Sequence, residues 1–185
     1  NHAEEHGLTR CHLTARPRVA KRFPLVIDGE TTIHPTDASW PSRLRGLAPW
    51  PERLHVRGSH TSLAASITPA VAIVGARAAS GHAMEVAREL AAAVVARGGV
   101  VVSGGAVGVD ASAHRGALIA GGPTVAVLGC GIDVVYPASH RNLFADLVAG
   151  GGALVSSFGG GVAPRRGHFV QRNRIIAGLA DVVVV

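Results

Sequence analysis

From Val71 onward, short apolar runs alternate with longer stretches of mixed polarity, and glycines punctuate the junctions. Val71-Ala72-Ile73-Val74 reads as a buried strand ending at Gly75, and Val100-Val101-Val102 as a second ending at Ser103-Gly104-Gly105. Thr124 to Leu128 and Ala153 to Ser156 have the same character, and Val182 opens a last apolar run. Between them lie predicted helices over 81–97, closed by Gly98-Gly99, over about 108–120, followed by Gly121-Gly122-Pro123, over 139–149 with Ser139 as N-cap, and over 172–179. Strands alternating with helices through short loops imply right-handed βαβ units. The pattern therefore predicts an α/β, Rossmann-like parallel sheet with helices on both faces. Ligands on such sheets bind at the carboxyl ends of the strands, where Gly75 and Ser103-Gly104-Gly105 fall.

The N-terminal region is less regular. Residues 1–39 are polar and rich in His and Arg, with no clear period, and read as an irregular arm. Residues 40–70 carry Trp40-Pro41, Trp50-Pro51 and Leu54-His55-Val56-Arg57-Gly58, and read as an extended lead-in with one short strand or helix. Residues 71–185 form the predicted domain. The sequence stops inside Val182-Val183-Val184-Val185, an odd place for a sheet to finish, so the expectation is a domain lacking its C-terminal part.

Composition adds a charge argument. Lys and Arg together number 18 and Lys21 is the single lysine, leaving 17 arginines and a formal net charge of +6. Arg-for-Lys usage with abundant Ala, Gly and Val is also what a G+C-rich coding sequence produces, so the totals alone decide little. The distribution decides more. From Leu147 to Ala180 there is no Asp or Glu, while Arg165, Arg166, Arg172 and Arg174 all fall there, a one-sign field suited to a polyanion. Cys11 and Cys130 are too few and too far apart for a disulfide framework. The ten histidines show no metal-ligand spacing, and no charged-then-apolar leader or membrane-length apolar run occurs. These features point to a cytoplasmic protein with no membrane association, no metal and no cofactor.

Three segments are candidates for chemistry. The first loop, Gly75 to Gly81, contains Arg77, a forked donor suited to phosphate, and Ser80, which can cap the next helix. An ordinary βα turn with a solvated arginine would look the same. The second loop, Ser103-Gly104-Gly105-Ala106-Val107-Gly108-Val109-Asp110, is rich enough in glycine to present backbone N–H groups as an anion nest, with Asp110 bracing it. The third is Pro164-Arg165-Arg166-Gly167-His168-Phe169-Val170-Gln171-Arg172-Asn173-Arg174, where arginines can bridge phosphates and Phe169 can stack on a base or fill the core. Arg172 and Arg174, two apart, cannot share a helix face, so one faces a ligand while the other braces a neighbour. His114 lies four residues after Asp110 on the same predicted face and reads as its structural partner. Cys130 has no partner His and reads as inert.

These loops together resemble the DprA/Smf family, the DNA-processing proteins of bacterial transformation. The resemblance rests on Ala72-Ile73-Val74-Gly75-Ala76-Arg77, on Ser103 to Asp110, on Ala113-His114-Arg115-Gly116-Ala117-Leu118, and on Val127 to Pro137. It continues through Pro164 to Phe169 and Gln171-Arg172-Asn173-Arg174-Ile175-Ile176-Ala177-Gly178-Leu179. It implies an extended Rossmann-like fold that binds and protects single-stranded DNA and loads RecA onto it, without catalysis. It implies DNA contacts at Gly75, Arg77, Ser103, Gly104, Gly105, Arg165, Arg166, Phe169, Arg172, Asn173 and Arg174. Three departures stand out. Val107 occupies a position where members often carry a basic or polar residue. Residues 1–39 do not match the helical N-terminal module of many members. The family domain also continues past the last strand here, into parts associated with homodimerisation and RecA contact.

Enzymatic readings fit less well. A nicotinamide dehydrogenase needs a Gly-x-Gly-x-x-Gly turn and an acidic residue ending the second strand, where Ser103 stands. Lys21 lies in no glycine loop, which removes a P-loop ATPase. The alternative is a lysine-decarboxylase-like nucleotide phosphoribohydrolase. Its signature Pro-Gly-Gly-x-Gly-Thr loop and following Glu are not reproduced in Ser103 to Asp110.

Overall fold

The computed structural model describes residues 29–45, 51–63 and 69–185, so Cys11, Lys21 and Trp50 lie outside the described residues. In chain order the strands are β1 (Glu30–Ile33), β2 (Leu54–Gly58), β3 (Ala70–Ile73), β4 (Val100–Ser103), β5 (Thr124–Leu128), β6 (Ala153–Ser156) and β7 (Val182–Val184). The helices are α1 (Gly81–Ala96), α2 (Val109–Ile119), α3 (Arg141–Ala149) and α4 (Arg166–Leu179). One sheet holds all seven strands in the order β1-β2-β6-β5-β4-β3-β7.

The five strands from β6 to β7 are parallel, as the βαβ pattern predicts. The sheet as a whole is mixed, because β2 pairs antiparallel with β6 and β1 antiparallel with β2. Glu30–Ile33 thus forms a strand inside the segment read as an irregular arm. It escaped the sequence reading because three of its four residues are exposed and only Ile33 is buried, so it carries no apolar signal of its own.

Every position of β3 to β6 is buried, and successive side chains alternate between the two faces, which bury different helices. Val71, Ile73, Val101, Ala126, Leu128 and Leu154 pack against α1, α2 and α3. Ala72, Val102, Val125, Val127 and Val155 point the other way, onto Ile175, Ile176 and Leu179 of α4. Trp40, Leu44, Leu54 and Val56 extend that second core. The Arg43 guanidinium donates Nε and Nη2 to the Asp181 carboxylate at 3.0 and 3.1 Å, and Asp181 also accepts the Ala70 N–H at 2.8 Å. This ties the N-terminal part of the domain to the start of β7.

Helix ends follow the glycine punctuation. α1, α2 and α3 each finish in a Gly-Gly pair whose N–H groups reach back to the last turn. Gly98 donates to Val95 O and Gly99 to Val94 O, Gly121 to Leu118 O and Gly122 to Ala117 O, and Gly151 to Val148 O and Gly152 to Leu147 O. This doubly bonded stop needs a left-handed residue first, and Gly98, Gly121 and Gly151 have φ of 77°, 74° and 82°. Ser80 caps α1, accepting the Ala83 N–H at 3.1 Å. Ser139 does not cap α3: it sits inside a short 3-10 turn, Ala138–His140, that precedes the helix. Among the described residues no helix is long and apolar enough to cross a membrane.

Candidate nucleic-acid interface

After β6 the chain crosses back over the sheet through α4 and places β7 beside β3. The first loop, the glycine loop and the N-terminal half of α4 meet at the carboxyl edge of β3, β4 and β5. There they enclose an open cleft lined by Arg77, Gly104, Gly105, Ala106, Val107, Tyr136, Pro137, Phe169 and Arg172. That mixed lining of cationic, aromatic and backbone groups suits a small ligand or one unit of a polymer.

The glycine loop is held from behind. Ser103 is fully buried, and its Oγ donates to Ile73 O at 2.6 Å, joining the ends of β4 and β3. Asp110, in the first turn of α2, accepts the N–H groups of Gly104 and Ala106 at 3.1 and 3.2 Å. Those two amides face the carboxylate and are not available to an anion nest, and Asp110 braces the loop from the first turn of α2. Burial pushes the Asp110 carboxyl above its usual value, opposed by the Ala106 N–H, the Arg172 charge and the backbone of Gly75 and Gly104. His140 Nδ1 lies 3.0 Å from Gly105 O on the far side of the loop. Gly108, at φ 83°, abuts the first loop so closely that a Cβ there would lie 2.7 Å from Arg77 O. The two loops are therefore one packed unit.

The aromatic and cationic groups converge on Phe169. Arg77 Cζ lies 5.3 Å from the ring centroid, Arg172 Cζ 5.7 Å, and the Tyr136 ring centroid 5.7 Å at a tilt of 39°. Arg77 is exposed and Phe169 half-buried. A Cβ on Gly129, at the end of β5, would lie 2.7 Å from Phe169 Cδ1, so only glycine leaves room for the ring. The structure thus brings Arg77, Gly104, Gly105, Phe169 and Arg172 of the expected residues into one place. Gly75 borders the same loop and is exposed, with Val109 packed where its Cβ would be.

Of Arg172 and Arg174, Arg172 is the one that braces its neighbours. It is 5% exposed, and its Nη1 donates to Gly104 O and Val127 O while Nε donates to Asn173 Oδ1 at 3.2 Å. Its helix begins at Arg166, six residues before the predicted start, which puts Phe169, Arg172 and Ile176 on one inward stripe. Arg165, Arg166, Asn173 and Arg174 are exposed at or beside the N-terminal half of α4 and do not line the cleft. Arg174 faces out where Arg172 faces in, as their spacing requires.

Tyr136, Pro137, Ala106 and Val107 were not singled out from sequence as ligand contacts, yet all line the cleft. The signal available was Tyr136-Pro137, an aromatic joined to a proline; their peptide is cis. Val107 is 39% exposed, so an apolar group stands at the mouth of the cleft.

Two buried groups lie apart from this chemistry. His114 is fully buried, and its partner is Thr124 rather than Asp110: Nδ1 lies 2.7 Å from Thr124 Oγ1. Thr124 spends its own proton on Val101 O at 2.9 Å, so His114 donates from Nδ1. Burial first, and then the charges of His140, Arg172 and Arg115, lower its pKa to about 3. Cys130 is buried, its Sγ donates to Val134 O at 3.3 Å, and burial raises its pKa, which fits an unreactive thiol.

Residues 31–185 match the family model described as DNA recombination-mediator protein A. Protein Smf from Synechocystis sp. is 40% identical over 155 residues, covering 83% of this chain and 38% of that protein. The X-ray structure of DNA processing protein A from Streptococcus pneumoniae superposes with a TM-score of 0.75 at 35% identity, covering 83% of this chain and 53% of that one. The structure that describes the single-stranded DNA binding mode of DNA processing protein A from Helicobacter pylori gives 0.73 at 29%, covering 83% and 67%. This chain therefore spans well under half of the Synechocystis protein. With the family model matched from β1 through β7 and the same fold in both solved relatives, the chain belongs to the DNA recombination-mediator protein A family, the DprA/Smf proteins.

Proposed function

We propose that this chain holds single-stranded DNA in the cleft between its first loop, its glycine loop and α4, acting by binding rather than by catalysis. One observation carries the reading: Arg77 and Phe169 stand 5.3 Å apart in a single cleft beside the glycine loop. A phosphate needs a forked cation, and a base needs a flat apolar face; this pair supplies both within one nucleotide's reach. The exposed Arg165, Arg166 and Arg174, with Asn173, extend the positive surface along the start of α4, where a strand leaving the cleft would pass. The single-stranded DNA binding described for the Helicobacter pylori relative supports the same ligand class. On this reading a cytoplasmic protein shields the strand during transformation or recombination and presents it to RecA, and in the full-length family protein homodimerisation adds a second such surface.

The test is a fluorescence anisotropy titration with a labelled oligonucleotide at two salt concentrations. Affinity that falls steeply with salt is expected. Affinity that is weak and independent of salt would overturn the reading. Incubation with AMP serves as the parallel arm, because release of base or ribose phosphate would point to the phosphoribohydrolase alternative. Faster RecA filament formation on protein-coated DNA is the expected result for the loading step, and no acceleration would remove it.

A further inference from the structure

The geometry points to Arg172 as a positioning residue that sets the glycine loop's shape for ligand, rather than as a phosphate contact. The inference rests on the DNA-binding reading above for the meaning of the loop, and on contacts within the chain for everything else.

Gly104 is clamped at both polar ends of its backbone. Its N–H is held by Asp110 from α2, on one face of the sheet, and its carbonyl by Arg172 from α4, on the other. The same Nη1 also takes Val127 O, so one guanidinium joins the ends of β4 and β5. In a trans peptide the C=O and the following N–H point in opposite directions, so fixing Gly104 O fixes the direction of the Gly105 N–H as well. Gly105, at φ 68°, then starts the turn that forms the floor of the cleft.

Burying a cation is expensive, and an apolar side chain would fill the space below Phe169 at lower cost. A guanidinium is retained where its fork has several fixed acceptors, and here it has three: Gly104 O, Val127 O and Asn173 Oδ1. The fit leaves no slack, because a Cβ on Gly104 would lie 2.6 Å from Arg172 Cζ. These contacts commit Nε and Nη1 within the chain, whereas Arg77 is exposed.

Arg172→Lys keeps the charge but loses the fork, and Gly104→Ala keeps the arginine but displaces it. Each is compared with Arg77→Ala by anisotropy titrations over a range of salt, with thermal unfolding as a check on folding. The Gly104, Gly105 and Ala106 amides are followed by hydrogen exchange without DNA. Both variants are expected to bind about five- to twenty-fold more weakly with the wild-type salt slope, and to exchange those amides faster. Arg77→Ala is expected to reduce the slope by about one. Arg172→Gln, which removes the charge, supplies the slope test: a slope reduced by about one in that variant would make Arg172 a phosphate contact and overturn the inference. Unchanged affinity and unchanged exchange would leave it a packing residue only and overturn it equally. If Arg172→Lys does not fold, Gly104→Ala decides alone. If the wild type shows no salt-dependent binding, the functional reading falls, and the exchange rates still decide whether Arg172 sets the loop.

Discussion

The Arg77 guanidinium carbon lies 5.3 Å from the centroid of the Phe169 ring, joining a loop after the third strand to a helix that enters the sheet from its other face. The pair separates two terms of DNA binding. Phe169→Ala removes a stacking face, which costs about 1–3 kcal/mol per base without changing the number of phosphates neutralised. Affinity should fall while the salt slope stays constant. Arg77→Ala should lower both affinity and slope. Slopes from titrations at several salt concentrations check this; equal slopes in the two variants would mean that Arg77 makes no phosphate contact.

Asp110 bears on stability as well as on loop shape. Asp110→Ala leaves the buried Gly104 N–H and the Ala106 N–H without their acceptor, at about 1–3 kcal/mol each. Asp110→Asn keeps a carbonyl oxygen there and should cost less. Urea unfolding of the two variants measures the difference, and equal losses would remove the acceptor role. The sign of the pH effect is also set. Because the folded carboxyl titrates above its unfolded value of 3.8, the folded state binds the proton more readily. The contribution of Asp110 is therefore most favourable at low pH and declines as pH rises from about 3.8 through the folded pKa.

His114 acts in the opposite direction. Its pKa of about 3 in the folded chain lies below the ordinary imidazole value of 6.5, so the unfolded chain takes up the proton first as pH falls. Its contribution to stability is complete above about pH 6.5 and is lost progressively toward pH 3. His114→Asn retains a donor for Thr124 Oγ1 but does not titrate. The variant should be less stable at neutral pH, through the cavity it leaves, and should lose less further stability between pH 6.5 and 4. Chemical unfolding at pH 7, 5.5 and 4 tests this, and parallel losses in both proteins would contradict it.

Two glycines with similar backbone angles should respond differently to alanine. Gly108, at φ 83°, has Ala76 O and Arg77 O where its Cβ would go, whereas Gly121, at φ 74°, has open space. Gly121→Ala should cost only the left-handed strain, about 1–2 kcal/mol. Gly108→Ala adds a backbone clash that must move the first loop, so it should cost more and weaken DNA binding through Arg77. Thermal unfolding and titration of both variants check the contrast.

Much of this domain was legible from local chemistry. The four apolar runs from Val71 to Ser156, the Gly-Gly helix stops and the Ser80 cap are short-range signals, and the structure follows them within a few residues. One mostly exposed strand, β1, was harder to read. Glu30–Ile33 buries one side chain and gains its identity from pairing with β2, a neighbour far along the chain. The start of α4 was also obscured, because Gly167 and a run of arginines mask a helix that burial of Phe169, Arg172, Ile175 and Ile176 stabilises.

The candidate site divides along the same line. Residue types and order alone determined that glycine loops end adjacent strands, that an acid-free arginine segment follows, and which family the chain resembles. Which arginine is free and which is spent depended on the third dimension. Arg77 and Arg172 are the same side chain in sequence, but one leaves an exposed loop and the other enters the core three residues after Phe169, meeting carbonyls at the ends of β4 and β5. The partners of Asp110 and His114 were decided likewise, since a hydrogen bond depends on atoms brought within about 3 Å and the sequence records only the spacing along one chain.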